Sequence, residues 1–269
     1  MAASDYPFGV MSHLVWYTVQ KSLLRIELHD PDRRNALSFE LLENLKQALS
    51  EAGEEDSASL AMLSAKGPAF SAGMNLKSMR LEDPAEAERF ANLLGAVYKM
   101  LLEFRVPLVC AVDGPALGGA VGIVLACDSV WMGPMARIGF PETRIGLVPA
   151  LVSVIARRRL SEGKLLSLVL SATPVDGQEA VRLGLADHQA RADATAEAEA
   201  FCRKTIRENS AEAMRRTKRF LRSHSLTHFD EEIELAKSEF FAAVASESAK
   251  RGLASFREKK LVDWSEPQG

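Results

Sequence analysis

Cysteine is scarce in this chain, with three residues among 269. Cys110, Cys127 and Cys202 lie far apart, in apolar or helical surroundings. Their spacing contains neither a CxxC pair nor a cysteine–histidine combination, so it supports no disulfide framework and no zinc site. We expect three buried free thiols, no metal ion, and a protein of a reducing compartment, by default the cytoplasm.

A strong net charge and long apolar runs are also missing. The formal net charge is −3, which provides no general attraction to nucleic acid. The basic clusters at residues 157–159 and 215–219 lie among apolar residues at helical spacing, which is typical of a solvated helix face. No stretch approaches the roughly 18 uninterrupted apolar residues of a membrane helix, and residues 1–10 do not resemble a signal peptide. We expect neither nucleic acid nor a membrane as a partner.

Short β-like runs alternate with helical patterns over the first two thirds of the chain, which indicates an α/β fold. Ser38 is a suitable N-cap for an amphipathic helix that reaches about residue 52. A second helix is predicted from about residue 85 to residue 104, before Pro107. Strands are predicted at residues 14–19, 23–28, 60–65, 108–112 and 129–132. A short buried helix is predicted at residues 118–127.

From about residue 192 the pattern changes to nearly continuous helix, rich in Ala, Glu, Lys and Arg. Its apolar positions recur at intervals of three and four and exceed what the tail itself can cover. These positions are Phe220, Leu221, Ile233, Leu235, Phe240, Phe241, Val244 and Leu253. We predict a core of residues 1–195 and a helical oligomerisation subdomain of residues 196–269.

Two glycine-rich segments, residues 69–76 and 114–122, are the most informative part of the sequence. The first is a turn of small residues, and the second enters a helix through Gly118 and Gly119. Each can direct one backbone N–H at a common point, which is the requirement for an oxyanion hole. Glu142 follows them as a carboxylate that, when partly buried, can transfer protons near neutral pH.

Five segments match, in order, motifs of one family and span nearly the whole chain. They are PDRRNALS at 31–38, GPAFSAGMNL at 67–76, AVDGPALGGAVGIVLACD at 111–128, GFPETRIGLVP at 139–149 and FREK at 256–259. On these segments the chain resembles the crotonase superfamily, the enoyl-CoA hydratase and isomerase group. The resemblance implies a spiral of ββα units followed by a C-terminal helical trimerisation region.

Site residues follow from the same resemblance, position by position. The oxyanion donors would be the N–H groups of Met74 and Gly119, and the catalytic acid and base would be Glu142. Coenzyme A would contact the backbone around Asn35, Ala36 and Ala72, with Arg33 or Arg34 near a phosphate. Phe256 and Lys259 would reach the nucleotide from a neighbouring subunit. The implied partners are an acyl-CoA substrate and further copies of the chain, as a trimer or a hexamer. No cofactor is expected, because coenzyme A is part of the substrate.

The chain departs from the family pattern at two positions. Efficient hydratases carry a second glutamate where this chain has Gly122, and the aspartate of the FxAGxDL motif is Asn75. A single carboxylate is the arrangement of Δ3,Δ2-enoyl-CoA isomerases, whereas GGAVG with a retained later glutamate resembles hydratases of branched acyl-CoA substrates. We favour a 2-enoyl-CoA hydratase, with an isomerase that uses Glu142 alone, or a non-catalytic acyl-CoA-binding protein, as the alternatives.

Overall fold

The structure is a computed structural model that describes residues 13–260 and 262–265. The interpretation of residues 1–10 therefore lies outside the described part. The strands are, in chain order, β1 (Val15–Gln20), β2 (Leu23–Leu28), β3 (Leu60–Ala65), β4 (Leu108–Val112), β5 (Pro115–Leu117), β6 (Ser129–Met132), β7 (Arg137–Gly139), β8 (Val175–Asp176) and β9 (His188–Gln189). The predicted strands are confirmed to within one residue.

The helices agree with the predicted ones where a capping residue marks the start. Ser38 accepts a hydrogen bond from the Leu41 N–H and begins α1, as predicted. The helices are α1 (Phe39–Gly53), α2 (Pro84–Glu103), α3 (Gly119–Ala126), α4 (Ala150–Ala156), α5 (Glu162–Ser171), α6 (Gly177–Leu183), α7 (Ala194–Glu208), α8 (Ala211–Leu226), α9 (Phe229–Ala245) and α10 (Glu247–Arg257). Short 3-10 helices occupy Pro31–Arg33 and Glu142–Ile145.

The strands form two sheets. The larger has the order β1-β2-β3-β4-β6-β9, with β1 antiparallel to β2 and every other neighbouring pair parallel. The smaller has the order β5-β7-β8, and its first pair is parallel. Strand, turn and helix thus recur along the chain, which agrees with the expected α/β fold.

Both faces of the larger sheet are covered. In β3, Ala61 and Leu63 belong to the main core with α1, α2 and α3, whereas Leu60 and Met62 pack in a smaller cluster with α7. A parallel strand buried on both faces needs an apolar run rather than an alternating pattern, which is what β3 and β4 contain. Helix α3 is apolar on all sides and its residues 120–126 are all buried.

The described part of the C-terminal region consists of four separate helices, α7 to α10, rather than one nearly continuous helix. Ser210 and Ser246 mark two of the three breaks, because each accepts a backbone hydrogen bond and caps the helix that follows. The third break, at His228, has no side-chain cap. The predicted division after residue 195 falls in the first turn of α7. That helix packs on the sheet, and the two-part division stays a prediction.

The apolar positions of this region differ in exposure. Ile233, Phe240, Val244 and Leu253 are buried within the chain, and Phe241 is half-buried. Phe220, Leu221 and Leu235 are 77%, 66% and 73% exposed.

Asp113, just after β4, joins α7 to the sheet. Its carboxylate accepts hydrogen bonds from the N–H groups of Ala194 and Thr195 at 2.6 and 3.1 Å, and from the Thr195 hydroxyl at 2.8 Å. We expect Asp113→Ala to lower the free energy of unfolding by about 2 kcal/mol, because a charged cap of this helix start is lost. Urea unfolding measures it, with the exposed Asp56→Ala as a control that changes stability little. Equal effects of the two substitutions would contradict the assignment.

Candidate active site

The two glycine-rich segments lie side by side. The Ser71 N–H donates to the Pro115 carbonyl and the Leu117 N–H donates to the Ser71 carbonyl, both at 3.1 Å. Gly73, with φ of 81°, fits here because a Cβ on it would be 2.7 Å from the Leu117 carbonyl oxygen. A residue with a side chain would therefore separate the segments.

The N–H groups of Met74 and Gly119 are available at this junction. Neighbouring backbone groups are paired, since the Leu37 N–H donates to Gly73 and the Gly118 N–H donates to Gly139. Within residues 13–260 and 262–265, neither the Met74 N–H nor the Gly119 N–H has an acceptor. Unpaired donors of this kind are what an oxyanion hole requires.

Glu142 begins the 3-10 helix Glu142–Ile145, directly after Pro141. Its Oε1 lies 2.9 Å from the point that a Cβ on Gly118 would occupy. Its Oε2 is buried and has no hydrogen-bond partner among the described residues. Burial raises the pKa of the Glu142 carboxyl to about 7, so both protonation states are accessible near neutral pH.

Met74, Gly119 and Glu142 line one small, largely apolar cavity. Its volume is about 30 Å³, which is room for a water molecule. The remaining lining residues are Phe90, Leu94, Leu147, Val148, Pro149, Ala150, Leu151, Val152 and Phe240. The structure thus brings together the two N–H donors and the carboxylate that the resemblance suggested for the oxyanion hole and for proton transfer.

The position expected for a second acid, Gly122, lies against the ring of Tyr98. A Cβ on Gly122 would overlap the Tyr98 hydroxyl and would be 2.6 Å from its Cε1. Tyr98 is fully buried on α2, and its hydroxyl donates to the Gly119 carbonyl at 2.6 Å. Burial and, second, the charge of Glu142 raise the pKa of Tyr98 well above its usual value. A neutral phenol therefore occupies the space beside Gly122.

Tyr98 is not among the residues that the sequence indicates for the site. It lies on the buried face of an amphipathic helix, where tyrosine is an ordinary core residue. The sequence indicates it only indirectly, because a glycine inside the apolar helix α3 suggests close packing at that position.

Asn35 connects the loops that are expected to bind coenzyme A, and both polar atoms of its side chain form hydrogen bonds within the protein. Its Oδ1 accepts from the Asp30 N–H at 2.8 Å, and its Nδ2 donates to the carbonyls of Lys66 and Ala69, both at 2.9 Å. The side chain thus ties residues 30–36 to residues 66–69. A buried amide satisfied in this way orders the loops and does not contact a ligand itself.

Ala36 and Ala72 flank this loop junction, with Ala36 nearly buried and Ala72 exposed. The backbone N–H groups of Asn35, Ala36 and Ala72 donate to Asp30, Arg33 and Arg34. Within the described residues the carbonyls of Asn35 and Ala72 have no donor.

Arg33 ends the 3-10 helix Pro31–Arg33 with its side chain 60% exposed, 3.8 Å from Asp30 and 3.9 Å from Glu40. These distances are long for ion pairs, so the guanidinium is accessible to an anion.

Phe256 lies in the last turn of α10 and Lys259 lies two residues after the helix ends, and both are exposed. Lys259 has a left-handed backbone with φ of 57°. Their expected contact with a nucleotide bound to a neighbouring subunit stays a prediction.

Helix α10 also supports the segment that carries Glu142. Cβ atoms on Gly146 and Gly252 would be 2.9 Å from Ala249 N and 2.8 Å from Ile145 Cα, so the two backbones touch. The indole of Trp264 donates to the Arg144 carbonyl at 3.3 Å.

All three cysteines are buried and free, as expected. The described ranges contain no group of three or more His, Cys, Asp or Glu side chains placed to hold a metal ion. None of their helices is both long and apolar enough to cross a membrane.

Comparison with known proteins gives consistent results. The family model described as enoyl-CoA hydratase/isomerase matches residues 18–267. The chain is 29% identical over 256 residues to 2,3-dehydroadipyl-CoA hydratase of Escherichia coli, and the match covers 94% of this chain and 99% of that protein. It is 28% identical over 251 residues to cyclohexa-1,5-dienecarbonyl-CoA hydratase of Thauera aromatica, and the match covers 93% of this chain and 95% of that protein.

A solved structure agrees with these relatives. The crystal structure of an enoyl-CoA hydratase from Mycobacterium avium superposes with a TM-score of 0.85 at 29% identity, over 94% of this chain and 100% of that one. The chain therefore belongs to the enoyl-CoA hydratase/isomerase family of the crotonase superfamily and is a hydratase-like enzyme with the crotonase fold.

Proposed function

We propose that this enzyme adds water to a 2-enoyl-CoA thioester, and removes it in reverse, with Glu142 as the acid and base. The observation that carries the proposal is the Glu142 carboxylate, whose buried Oε2 has no hydrogen-bond partner among the described residues and which shares a cavity with the unpaired N–H groups of Met74 and Gly119. Relatives named as hydratases, each similar over nearly its whole length, support the direction of the chemistry.

The reaction balances with these groups alone. The thioester oxygen accepts hydrogen bonds from Met74 and Gly119, which stabilise negative charge as it develops there. Glu142 takes a proton from water while the water oxygen bonds to C3 and the C2–C3 π electrons move toward the thioester oxygen. Glu142 then returns the proton to C2, and the enolate collapses to the 3-hydroxyacyl thioester.

Coenzyme A would lie along the loops that Asn35 holds together. The unpaired carbonyls of Asn35 and Ala72 are acceptors suited to the exocyclic amine of adenine. The exposed Arg33 can pair with a phosphate. No further cofactor is required.

An isomerase is the second candidate, and the Tyr98–Gly122 contact favours it. With the second acid position blocked, Glu142 is the only acidic residue among the described residues that line the cavity, so it alone would have to hold the water. A double-bond shift needs no water, because Glu142 removes a proton from C2 of a 3-enoyl-CoA and returns it to C4.

Two substrates distinguish these functions. Purified protein is incubated separately with but-2-enoyl-CoA and but-3-enoyl-CoA, and the absorbance of the conjugated thioester is followed. A hydratase lowers the absorbance with the first substrate, and an isomerase raises it with the second. No change with either substrate, together with retained acyl-CoA binding, would leave the non-catalytic protein as the answer.

The raised pKa of Glu142 predicts a pH dependence. Only the ionised carboxylate accepts a proton, so kcat/KM should rise with pH through about 7 and then level off. Stability changes in the opposite sense, because the folded state holds this proton more tightly than the unfolded chain. The stabilising contribution is complete below the usual value of 4.5 and is lost as pH rises through about 7. A kcat/KM that is constant from about pH 5.5 to about 9 would contradict the role of Glu142 as base.

We also propose a trimer or hexamer in the cytoplasm. The exposed Phe220, Leu221 and Leu235 provide apolar surface for contacts between copies. Three buried, unpaired thiols suit a reducing compartment.

A further inference from the structure

Tyr98 is connected to the proposed oxyanion hole through the backbone of Gly119. The Tyr98 hydroxyl donates a hydrogen bond of 2.6 Å to the Gly119 carbonyl. The N–H of the same residue is one of the two unpaired donors. The N–H and the carbonyl of Gly119 lie in successive peptide planes that meet at its Cα, so a bond to the carbonyl limits the φ and ψ angles of Gly119 that set the direction of its N–H.

The backbone at this point needs such a restraint. Gly118 and Gly119 are consecutive glycines, and Gly118 has a φ of 57° with no side-chain cap for α3. Glycine permits a wide range of backbone angles, so the direction of the Gly119 N–H can vary unless neighbouring groups restrain the backbone. On the N-terminal side, the Gly118 N–H donates to the Gly139 carbonyl and the Gly118 carbonyl accepts from the Val121 N–H, both at 2.9 Å. On the C-terminal side, the Tyr98 hydroxyl donates to the Gly119 carbonyl.

Tyr98 is not placed to transfer a proton itself. It does not line the cavity of Met74, Gly119 and Glu142. Its proton is engaged with the Gly119 carbonyl, and its hydroxyl stays neutral because burial raises its pKa. A role in the reaction must therefore act through Gly119.

We propose that Tyr98 is a positioning residue, which fixes the direction in which the Gly119 N–H points at the thioester oxygen. The Tyr98 ring does so from the space that a side chain at Gly122 would otherwise fill. This inference rests on the proposed function, since it concerns the same oxyanion hole.

Tyr98→Phe tests the inference because phenylalanine keeps the ring and its packing and removes only the hydroxyl. We expect kcat to fall about 10-fold and KM to stay within about twofold of the wild-type value. The decrease in kcat is smaller than the factor of about 10²–10³ that follows loss of a whole oxyanion-hole donor, because the Gly119 N–H is still present. Tyr17→Phe is the matched control, since the Tyr17 hydroxyl donates to Glu51 at 3.2 Å away from the cavity. It should lower stability slightly and leave kcat unchanged.

A spectroscopic readout separates positioning from packing. Butyryl-CoA labelled with ¹³C at the thioester carbon binds without being hydrated, and its carbonyl stretch reports polarisation by the two donors. The band should move to higher wavenumber in Tyr98→Phe relative to wild type and stay in place in Tyr17→Phe. An unchanged band and unchanged kcat in Tyr98→Phe, with an active wild type, would overturn the inference alone. A wild type inactive on both enoyl thioesters would overturn the proposed function and the inference with it.

Discussion

Glu142→Gln is expected to lower kcat by about 10²–10⁴, the usual contribution of a positioned proton-transfer group. Glutamine has nearly the same shape, so the Met74 and Gly119 donors and the binding of the thioester should be retained. The loss should therefore fall on kcat, with KM nearly unchanged, because the missing proton transfer occurs only in the transition state. Steady-state kinetics with but-2-enoyl-CoA and but-3-enoyl-CoA measures the effect on either reaction.

Glu162→Gln provides the matched control for this substitution. Glu162 also lies in the first turn of a helix, but its side chain is exposed. It should leave kcat unchanged. Glu142→Gln should also be more stable than wild type above about pH 7, because a buried carboxylate with a raised pKa is removed. Full activity of the glutamine variant would exclude Glu142 as the acid and base.

The resemblance to the crotonase superfamily assigns Met74, Gly119 and Glu142 to the candidate site, and each of them lies in a short motif that is recognisable in the sequence. Met74 and Gly119 contribute backbone N–H groups, and short glycine-rich segments determine the backbone angles that orient them. The pairing of Ser71 with Pro115 and Leu117 then brings these segments together. The strands were readable for a similar reason, since apolar runs such as β3 indicate burial on both faces.

Features that depend on long-range contacts could not be predicted in the same way. The resemblance assigns Asn35 to a coenzyme A loop, but it does not reveal the hydrogen bonds of the side chain. These bonds join Asn35 to the carbonyls of Lys66 and Ala69, which are 31 and 34 residues away in the sequence. The meeting of Tyr98 and Gly122 requires α2 to pack on α3. In the sequence, Ser210 and Ser246 resemble other polar helix residues, whereas in the structure their backbones are extended between two helices and their hydroxyls cap the second of them.

The Gly122–Tyr98 contact has a direct bearing on the missing second acid. Gly122→Glu should lower the free energy of unfolding by on the order of 3–5 kcal/mol, because its Cβ would overlap Tyr98 and its carboxylate would be buried without a partner. Gly163→Glu is the matched control, since a Cβ on Gly163 in α5 meets nothing within 4 Å. It should be neutral or slightly stabilising, because glycine is unfavourable inside a helix. Urea unfolding compares the two variants.

Combining Gly122→Glu with Tyr98→Ala shows whether the two positions exclude each other. Removing the phenol opens the volume that the glutamate needs, so the double variant should be more stable than the sum of the single effects by at least about 1 kcal/mol. Such coupling would mean that a second carboxylate and Tyr98 are alternative occupants of one space. The packing of Tyr98 would then account for the absence of an acid at position 122 in this chain. Strict additivity, or a Gly122→Glu variant as stable as wild type, would show that Tyr98 does not prevent an acid at this position.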